Sequence, residues 1–177
     1  MNKKLKLKEL NRISPSAFVK TKKIPLIIIL DNIRSGHNVG SVFRTSDAYL
    51  IEKIILIGIT PTPPSNDIHK TALGSTETVE WDYYEDSQSI IQDLKNDGYQ
   101  IISIEQTENS VNIEDYKLPE NKKVVIVMGN EVKGVQQQII DKSDLCIELP
   151  QFGTKHSLNV SVCAGIVIWE MGVRMRS

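Results

Sequence analysis

Several common signatures are missing from this chain, and each absence removes a class of function. There are two cysteines, Cys146 and Cys163, both in apolar surroundings. Neither belongs to a CxxC or Cys/His spacing, so no metal site or disulfide framework is expected. Two buried free thiols in a reducing compartment are expected instead. No apolar stretch approaches the roughly 18 residues of a membrane span, and the amino-terminal region lacks the apolar core of a signal peptide. A soluble, cytoplasmic protein with no membrane partner is the expectation. The formal net charge is −1, so no global basic field advertises a polyanionic partner. The glycine spacings do not match G-x-G-x-x-G, and there is no Walker A lysine and no G-x-S-x-G. Dinucleotide-binding, P-loop and serine-hydrolase readings are therefore set aside. Internal repeats and low-complexity tracts are also absent.

What is present describes an alternating chain. With 177 residues, 40% of them hydrophobic, it has one-domain length and enough apolar surface for a substantial core. Aliphatic runs at 26–30, 54–59, 99–104, 123–128 and 145–149 read as strands, most of them buried on both faces, with a short extended piece at 78–84. Helices are expected at 39–48, 87–96 and 135–140, and a helical fragment within 67–75. Residues 105–121 and 150–156 read as loops. The last segment, 158–174, is rich in β-branched residues, but its length and the spacing of Leu158, Val162, Ile166, Trp169 and Val173 decide for a helix. Strands alternating with helices give an α/β fold, a parallel sheet flanked by helices. Residues 1–24 form a short basic arm ahead of a single domain over 25–177. The arm carries Lys3, Lys4, Lys6, Lys8, Arg12, Lys20, Lys22 and Lys23, with a weak helical pattern in Leu5, Leu7, Leu10 and Ile13. It is either a solvated tail or a polyanion-binding patch. Pro25 is expected to end it.

Three clusters at expected strand or helix ends hold the chemistry: Asn38-Val39-Gly40-Ser41-Val42-Phe43-Arg44, Met128-Gly129-Asn130-Glu131-Val132-Lys133-Gly134, and Ser157-Leu158-Asn159-Val160-Ser161-Val162. Ligands of open α/β sheets bind beyond the carboxyl ends of the strands, so the clusters are expected to meet in one site. Each residue also has a plainer reading. Arg44, on an otherwise apolar helix, needs a partner for its charge, and Asp47 or Glu131 could supply it. Glu131 could cap the helix after its strand. Asn159 could be a helix cap or a packing polar group. Gly129 and Gly134 mark either a tight turn or places where backbone passes close to something.

In this order and spacing, the three clusters resemble motifs 1, 2 and 3 of the TrmH (SpoU) family of RNA ribose 2′-O-methyltransferases, in the SPOUT superfamily. The resemblance runs from about Pro25 to Met171. It implies a fold whose carboxyl-terminal part is tied in a deep trefoil knot, a feature nearly absent from proteins. It implies S-adenosylmethionine as cofactor, held in the knot loops against Ile104, Gly129, Leu149, Ser157 and Leu158, largely by backbone groups. It makes Asn38, Arg44, Glu131, Ser157 and Asn159 the catalytic set, with Arg44 activating the ribose 2′-hydroxyl and Asn38 and Glu131 orienting Arg44. It further implies a homodimer packed through the last helix, with Trp169 and Met171 as interface candidates.

The implied substrate is RNA, with tRNA slightly preferred over rRNA. Contacts are expected from the arm, from Lys53, Lys70, Lys133 and Lys155, and from the partner subunit. Two alternatives accompany this reading. One is a methyltransferase of the same knot class acting on a base, and the other is an RNA-binding or assembly module of this fold without catalysis.

Overall fold

Isoleucine, valine and leucine crowd the strands because the sheet is covered on both faces. The computed structural model describes residues 2–176 and, of Leu7, the backbone only. The strands are β1 (Ile24–Asp31), β2 (Ile51–Ile57), β3 (Glu80–Tyr84), β4 (Gln100–Ile104), β5 (Val111–Asn112), β6 (Val124–Met128) and β7 (Leu145–Glu148). The helices are α1 (Pro15–Lys20), α2 (Gly36–Ala48), α3 (Asn66–Ala72), α4 (Gln88–Asn96), α5 (Gln137–Ile140) and α6 (Val160–Arg176). The sheet order is β3-β2-β1-β6-β4-β7-β5, and every pairing is parallel. β6 thus enters between two strands that precede it in the chain.

Successive side chains of a strand face opposite ways. In β1, Leu26, Ile28 and Leu30 join a core with Phe43 of α2, Ile68 of α3 and Val167, Ile168 and Met171 of α6. Ile27 and Ile29 join the opposite core with Ile90, Ile91 and Leu94 of α4 and Ile139 of α5. The helices α2 and α3 touch through Gly40, where a Cβ would stand 2.3 Å from the Ile68 carbonyl oxygen. Glycine is what permits that approach.

The α/β expectation holds, and its departures have local causes. Helix α2 starts at Gly36, not at 39, because the Ser35 hydroxyl accepts the Asn38 N–H at 3.3 Å and caps it. Asn38 therefore stands in the first helical turn. Pro25 lies inside β1 rather than ending the arm. It has no N–H to donate, and the β1–β2 register is irregular between Ile24 and Ile27. The arm's α-helix is Pro15–Lys20, capped by Ser14. Phe18, 3% exposed, is buried in the main core, with the Lys23 ammonium 4.1 Å from its ring centroid. The expected loop 105–121 contains the two-residue edge strand β5, paired to β7. The expected long final helix is α6. No helix among the described residues is long and apolar enough to cross a membrane.

Candidate active site

Register levels the strand ends. Leu30 of β1 and Ile104 of β4 both pair with Met128 of β6, and Ile104 also pairs with Ile147 of β7. The loops leaving these four strands therefore rise from one row. A cleft of about 1230 Å³ opens among the loops after β4, β6 and β7. Ile104, Gly129, Leu149, Ser157 and Leu158, the five expected cofactor residues, all line it, as do Glu131 and Asn159. The charged residues of the lining are Glu105, Glu108, Glu131, Glu148 and Lys133. Four carboxylates against one ammonium favour a cationic ligand over an anionic one.

The floor between Gly129 and Gly134 is closed backbone. Asn130 and Gly134 exchange two hydrogen bonds, the Asn130 N–H donating at 3.0 Å and the Gly134 N–H at 2.9 Å. The Asn130 side-chain oxygen accepts the Val132 and Lys133 N–H groups at 2.9 and 3.0 Å. A Cβ on Gly129 would stand 2.2 Å from the Gly134 carbonyl carbon and from the Val135 nitrogen. Gly134 has φ +69°, in the left-handed region. Both readings of these glycines hold: residues 130–134 form a tight turn, and that turn brings the Gly134–Val135 peptide against Gly129.

The three clusters meet through a chain of side chains. The Asn159 amide donates to the Asn38 oxygen at 3.2 Å, and the Asn38 amide donates to Glu131 Oε1 at 3.1 Å. Glu131 also accepts the Arg34 and Ser35 N–H groups at 3.0 and 3.3 Å. It thus anchors the entry to α2 rather than capping the helix after its own strand. Partial burial pushes the Glu131 carboxyl up. The N–H groups of Arg34, Glu131 and Ser35 and the Asn38 amide outweigh this and hold it below the usual carboxylate range. The contribution is present above the ordinary carboxylate pKa and is lost as the pH falls through the lower folded value. The link is therefore intact at neutral pH.

The sequence profile of the SpoU rRNA Methylase family matches residues 25–169. The chain belongs to this family. It is 28% identical over 157 residues to a tRNA (guanosine(18)-2′-O)-methyltransferase of Borreliella burgdorferi, spanning 85% of this chain and 67% of the relative. It is 33% identical over 146 residues to the 23S rRNA (guanosine-2′-O-)-methyltransferase RlmB of Neisseria meningitidis, spanning 82% of this chain and 57% of the relative. The fold is similar to the crystal structure of the A. aeolicus TrmH/SpoU tRNA modifying enzyme, with a TM-score of 0.79 at 29% identity, covering 92% of this chain and 80% of that one. It is also similar to the AdoMet-bound rRNA methyltransferase from Sinorhizobium meliloti, with a TM-score of 0.81 at 26% identity, covering 94% and 62%.

In this SpoU-family chain Arg44 stands apart from the linked trio. It lies on the exposed side of α2. Neither suggested partner is paired with it. Asp47 accepts the Thr78 hydroxyl at 2.6 Å, and Glu131 is occupied as above. Among the described residues no side chain bonds to Arg44, so the direct contact of Asn38 and Glu131 with Arg44 is not made. Asn159 is a helix cap: its side-chain oxygen accepts the Ser161 N–H at 2.9 Å and the Val162 N–H at 3.4 Å. Two of the expected RNA-contact lysines are engaged elsewhere. Lys53 pairs with Glu80 and Asp82 at 2.9 and 2.8 Å. Burial pulls its pKa down, but the two carboxylates prevail and raise it to about 12. Lys70 pairs with Asp67 at 3.0 Å. Met171 is fully buried in the main core and is not available as an interface residue. Cys146 is buried, whereas Cys163 is only partly so and lines the cleft. Burial and the nearby Glu105 charge push the Cys163 thiol up to about 11.

Sequence reasoning missed Asp31. It is fully buried and accepts the Gln136 N–H at 2.8 Å and the Gln136 side-chain amide at 2.6 Å. Its signal was there to read: a carboxylate closing an aliphatic strand must be paired. No group of three or more His, Cys, Asp or Glu among the described residues is placed to hold a metal ion.

Asn159→Ala removes both the cap of α6 and the bridge to Asn38. A lost cap costs about 1 kcal/mol. Urea denaturation should show a lowered midpoint with an unchanged slope.

Proposed function

We propose that this chain is an S-adenosylmethionine-dependent RNA methyltransferase that transfers a methyl group to a ribose 2′-hydroxyl of tRNA or rRNA, with tRNA slightly preferred. The observation that carries the reading is the convergence of Asn38, Glu131 and Asn159 at the rim of a glycine-floored cleft lined by the expected cofactor positions. The chain spans 57% of the RlmB relative's length.

The cleft fits the cofactor's chemistry. Gly129 and Gly134 bring no side chain to the cleft they line, and the carboxylate-rich lining suits a ligand carrying a sulfonium and an ammonium. When bound, S-adenosylmethionine supplies an activated methyl group, which leaves sulfur for the 2′-oxygen as the hydroxyl proton departs. Arg44 holds the phosphate next to the target ribose and stabilises charge near the hydroxyl. A guanidinium offers hydrogen-bond donors and no acceptor, so a phosphate oxygen or water accepts the proton. Asn38 and Glu131 act by setting the first turn of α2 and hence the helix that carries Arg44. Ser157 and Asn159 hold RNA or complete the cofactor pocket. Placement of this kind can remove roughly 7–11 kcal/mol of barrier.

The SpoU family reading extends to architecture. The carboxyl-terminal loops form a trefoil knot around the late-inserted β6, a reading supported by the strand order and by the Gln106 amide reaching the His156 carbonyl at 3.2 Å. A basic arm over 1–24, seated through Phe18, precedes a single domain over 25–177. Residues 1–23 hold eight Lys or Arg and one Glu, which leaves 13 basic and 21 acidic residues for the remainder. The arm joins β1 at its amino-terminal end, whereas the cleft lies beyond the carboxyl ends of the strands. β1 has eight residues and a length of about 26 Å, so the arm grips RNA away from the target ribose. Lys133 and Lys155 are exposed and serve the near side. Action in the cytoplasm belongs to the same reading.

A homodimer joins through α6. Val162, Ile166 and Trp169 recur at helical spacing and are 53%, 41% and 52% exposed, and Leu158 continues the line to the cleft. Trp169→Glu should convert a dimer to a monomer in sedimentation velocity while leaving the circular dichroism spectrum unchanged, since Trp169 faces outward.

The deciding experiment incubates the purified protein with labelled S-adenosylmethionine and RNA from cells lacking it. Label in an alkali-resistant dinucleotide establishes ribose methylation and names the RNA class. Label in a base supports the base-methylating alternative. Cofactor and RNA binding without any transfer supports the non-catalytic module. No cofactor binding overturns the proposal.

A further inference from the structure

Glu105, the first residue after β4, and Asp31, the last of β1, stand at the ends of the two strands that flank β6. Leu30 and Ile104 both pair with Met128, so Asp31, Gly129 and Glu105 occupy the next row together. Above that row the chain returns through Gly134, Val135 and Gln136. Glu105 Oε2 accepts the Val135 N–H at 3.1 Å, and Asp31 Oδ2 accepts the Gln136 N–H at 2.8 Å. Two consecutive amides are thus gripped by carboxylates from opposite sides.

From these contacts we infer that Glu105 and Asp31 are paired positioning residues, a carboxylate clamp that holds the 129–136 loop in the shape that binds the cofactor. The inference rests on the proposed function of the cleft.

The glycines are part of the clamp. A Cβ on Gly134 would stand 2.1 Å from Glu105 Oε2, and one on Gly129 would strike the Gly134–Val135 peptide. Carboxylate, Gly134 and Gly129 are therefore stacked with no spare room. Bonds from an N–H to an ionised carboxylate are stronger than those to neutral acceptors, which suits a segment whose one core side chain is Val135, 4% exposed. Glu105 Oε1 also accepts the Gln106 N–H at 2.9 Å, and the Gln106 amide donates to His156 O at 3.2 Å. The same two residues thus tie the loop after β4 to the loops after β6 and β7. If the loop opens, cofactor affinity falls by the fraction of time it spends closed.

The test uses the full chain, wild type and as E105A and E105Q. S-adenosylmethionine affinity is measured by calorimetry, and amide exchange over 129–136 is measured without cofactor. Loss of the clamp to a loop closed one-tenth of the time raises the Kd by about tenfold. E105A should show that rise, with faster exchange at Val135. E105Q keeps an oxygen acceptor but not the charge and should fall between E105A and wild type in affinity and in Val135 exchange. RNA affinity without cofactor should stay within about twofold of wild type.

Wild-type affinity and exchange in E105A would overturn the inference, and so would an E105Q loss equal to that of E105A. If E105A does not fold, E105Q decides: an intermediate Kd with faster Val135 exchange supports the clamp, and wild-type values for both overturn it. Wild-type protein that binds no S-adenosylmethionine overturns the proposed function, and this inference with it, and is recognised before any variant is compared.

Discussion

Arg44→Ala should lower the methyl-transfer rate by about 10²–10⁴-fold, the range for loss of a positioned proton-transfer or charge-stabilising group. Cofactor affinity and melting temperature should stay close to wild type. The separation is expected because Arg44 is exposed on α2 and no side chain among the described residues bonds to it. Surface substitutions of this kind usually change stability by no more than about 0.5 kcal/mol. Single-turnover transfer with saturating S-adenosylmethionine and a tRNA substrate measures the effect. Transfer at the wild-type rate would remove Arg44 from the mechanism. Arg44→Lys refines the test. A lysine retains charge but not the planar two-pronged contact with phosphate, so a partial rate that is flat with pH fits positioning. A rate that climbs as the lysine deprotonates would mean that the group at this position acts as a base.

Gly129→Ala should abolish cofactor binding and also destabilise the fold. The added Cβ would stand 2.2 Å from two backbone atoms of the Gly134–Val135 peptide. That peptide is held by the Asn130–Gly134 bonds and by Glu105, so it has nowhere to move. Overpacking of side chains costs about 1–3 kcal/mol, and a clash with fixed backbone lies at the upper end or beyond. Calorimetry should show the Kd for S-adenosylmethionine raised by more than about 100-fold, and thermal denaturation should show a clear fall in melting temperature. Native affinity in this variant would mean that the cleft floor is not where the cofactor binds.

Both predictions start from residues legible in the sequence, but by different routes. Gly129 and Gly134 stood out as glycines just past an aliphatic strand, and their local reading already contained the close approach that is observed. Arg44 stood out as a charge on an apolar helix, and its local reading led to an ion pair. Candidate partners can be listed from the sequence, but whether they are already occupied depends on contacts elsewhere, here Thr78 for Asp47 and the Arg34 and Ser35 amides for Glu131. Trp169 and Met171 make the same point. They are two residues apart on one helix, and only the placement of α6 against the sheet decides that Met171 is core and Trp169 is surface.

The order of elements, the parallel sheet and the three polar clusters follow from local pattern, because hydrophobic period, segment length and breaker residues act over a few positions along the chain. The insertion of β6 between β1 and β4, the level row of strand ends, the Glu131–Asn38–Asn159 link across 93 and 121 positions and the grip of Asp31 and Glu105 on one loop were decided only by the tertiary structure. Each depends on which strands become neighbours and in what register, and that is settled by packing between distant segments, which leaves no periodic trace in the sequence.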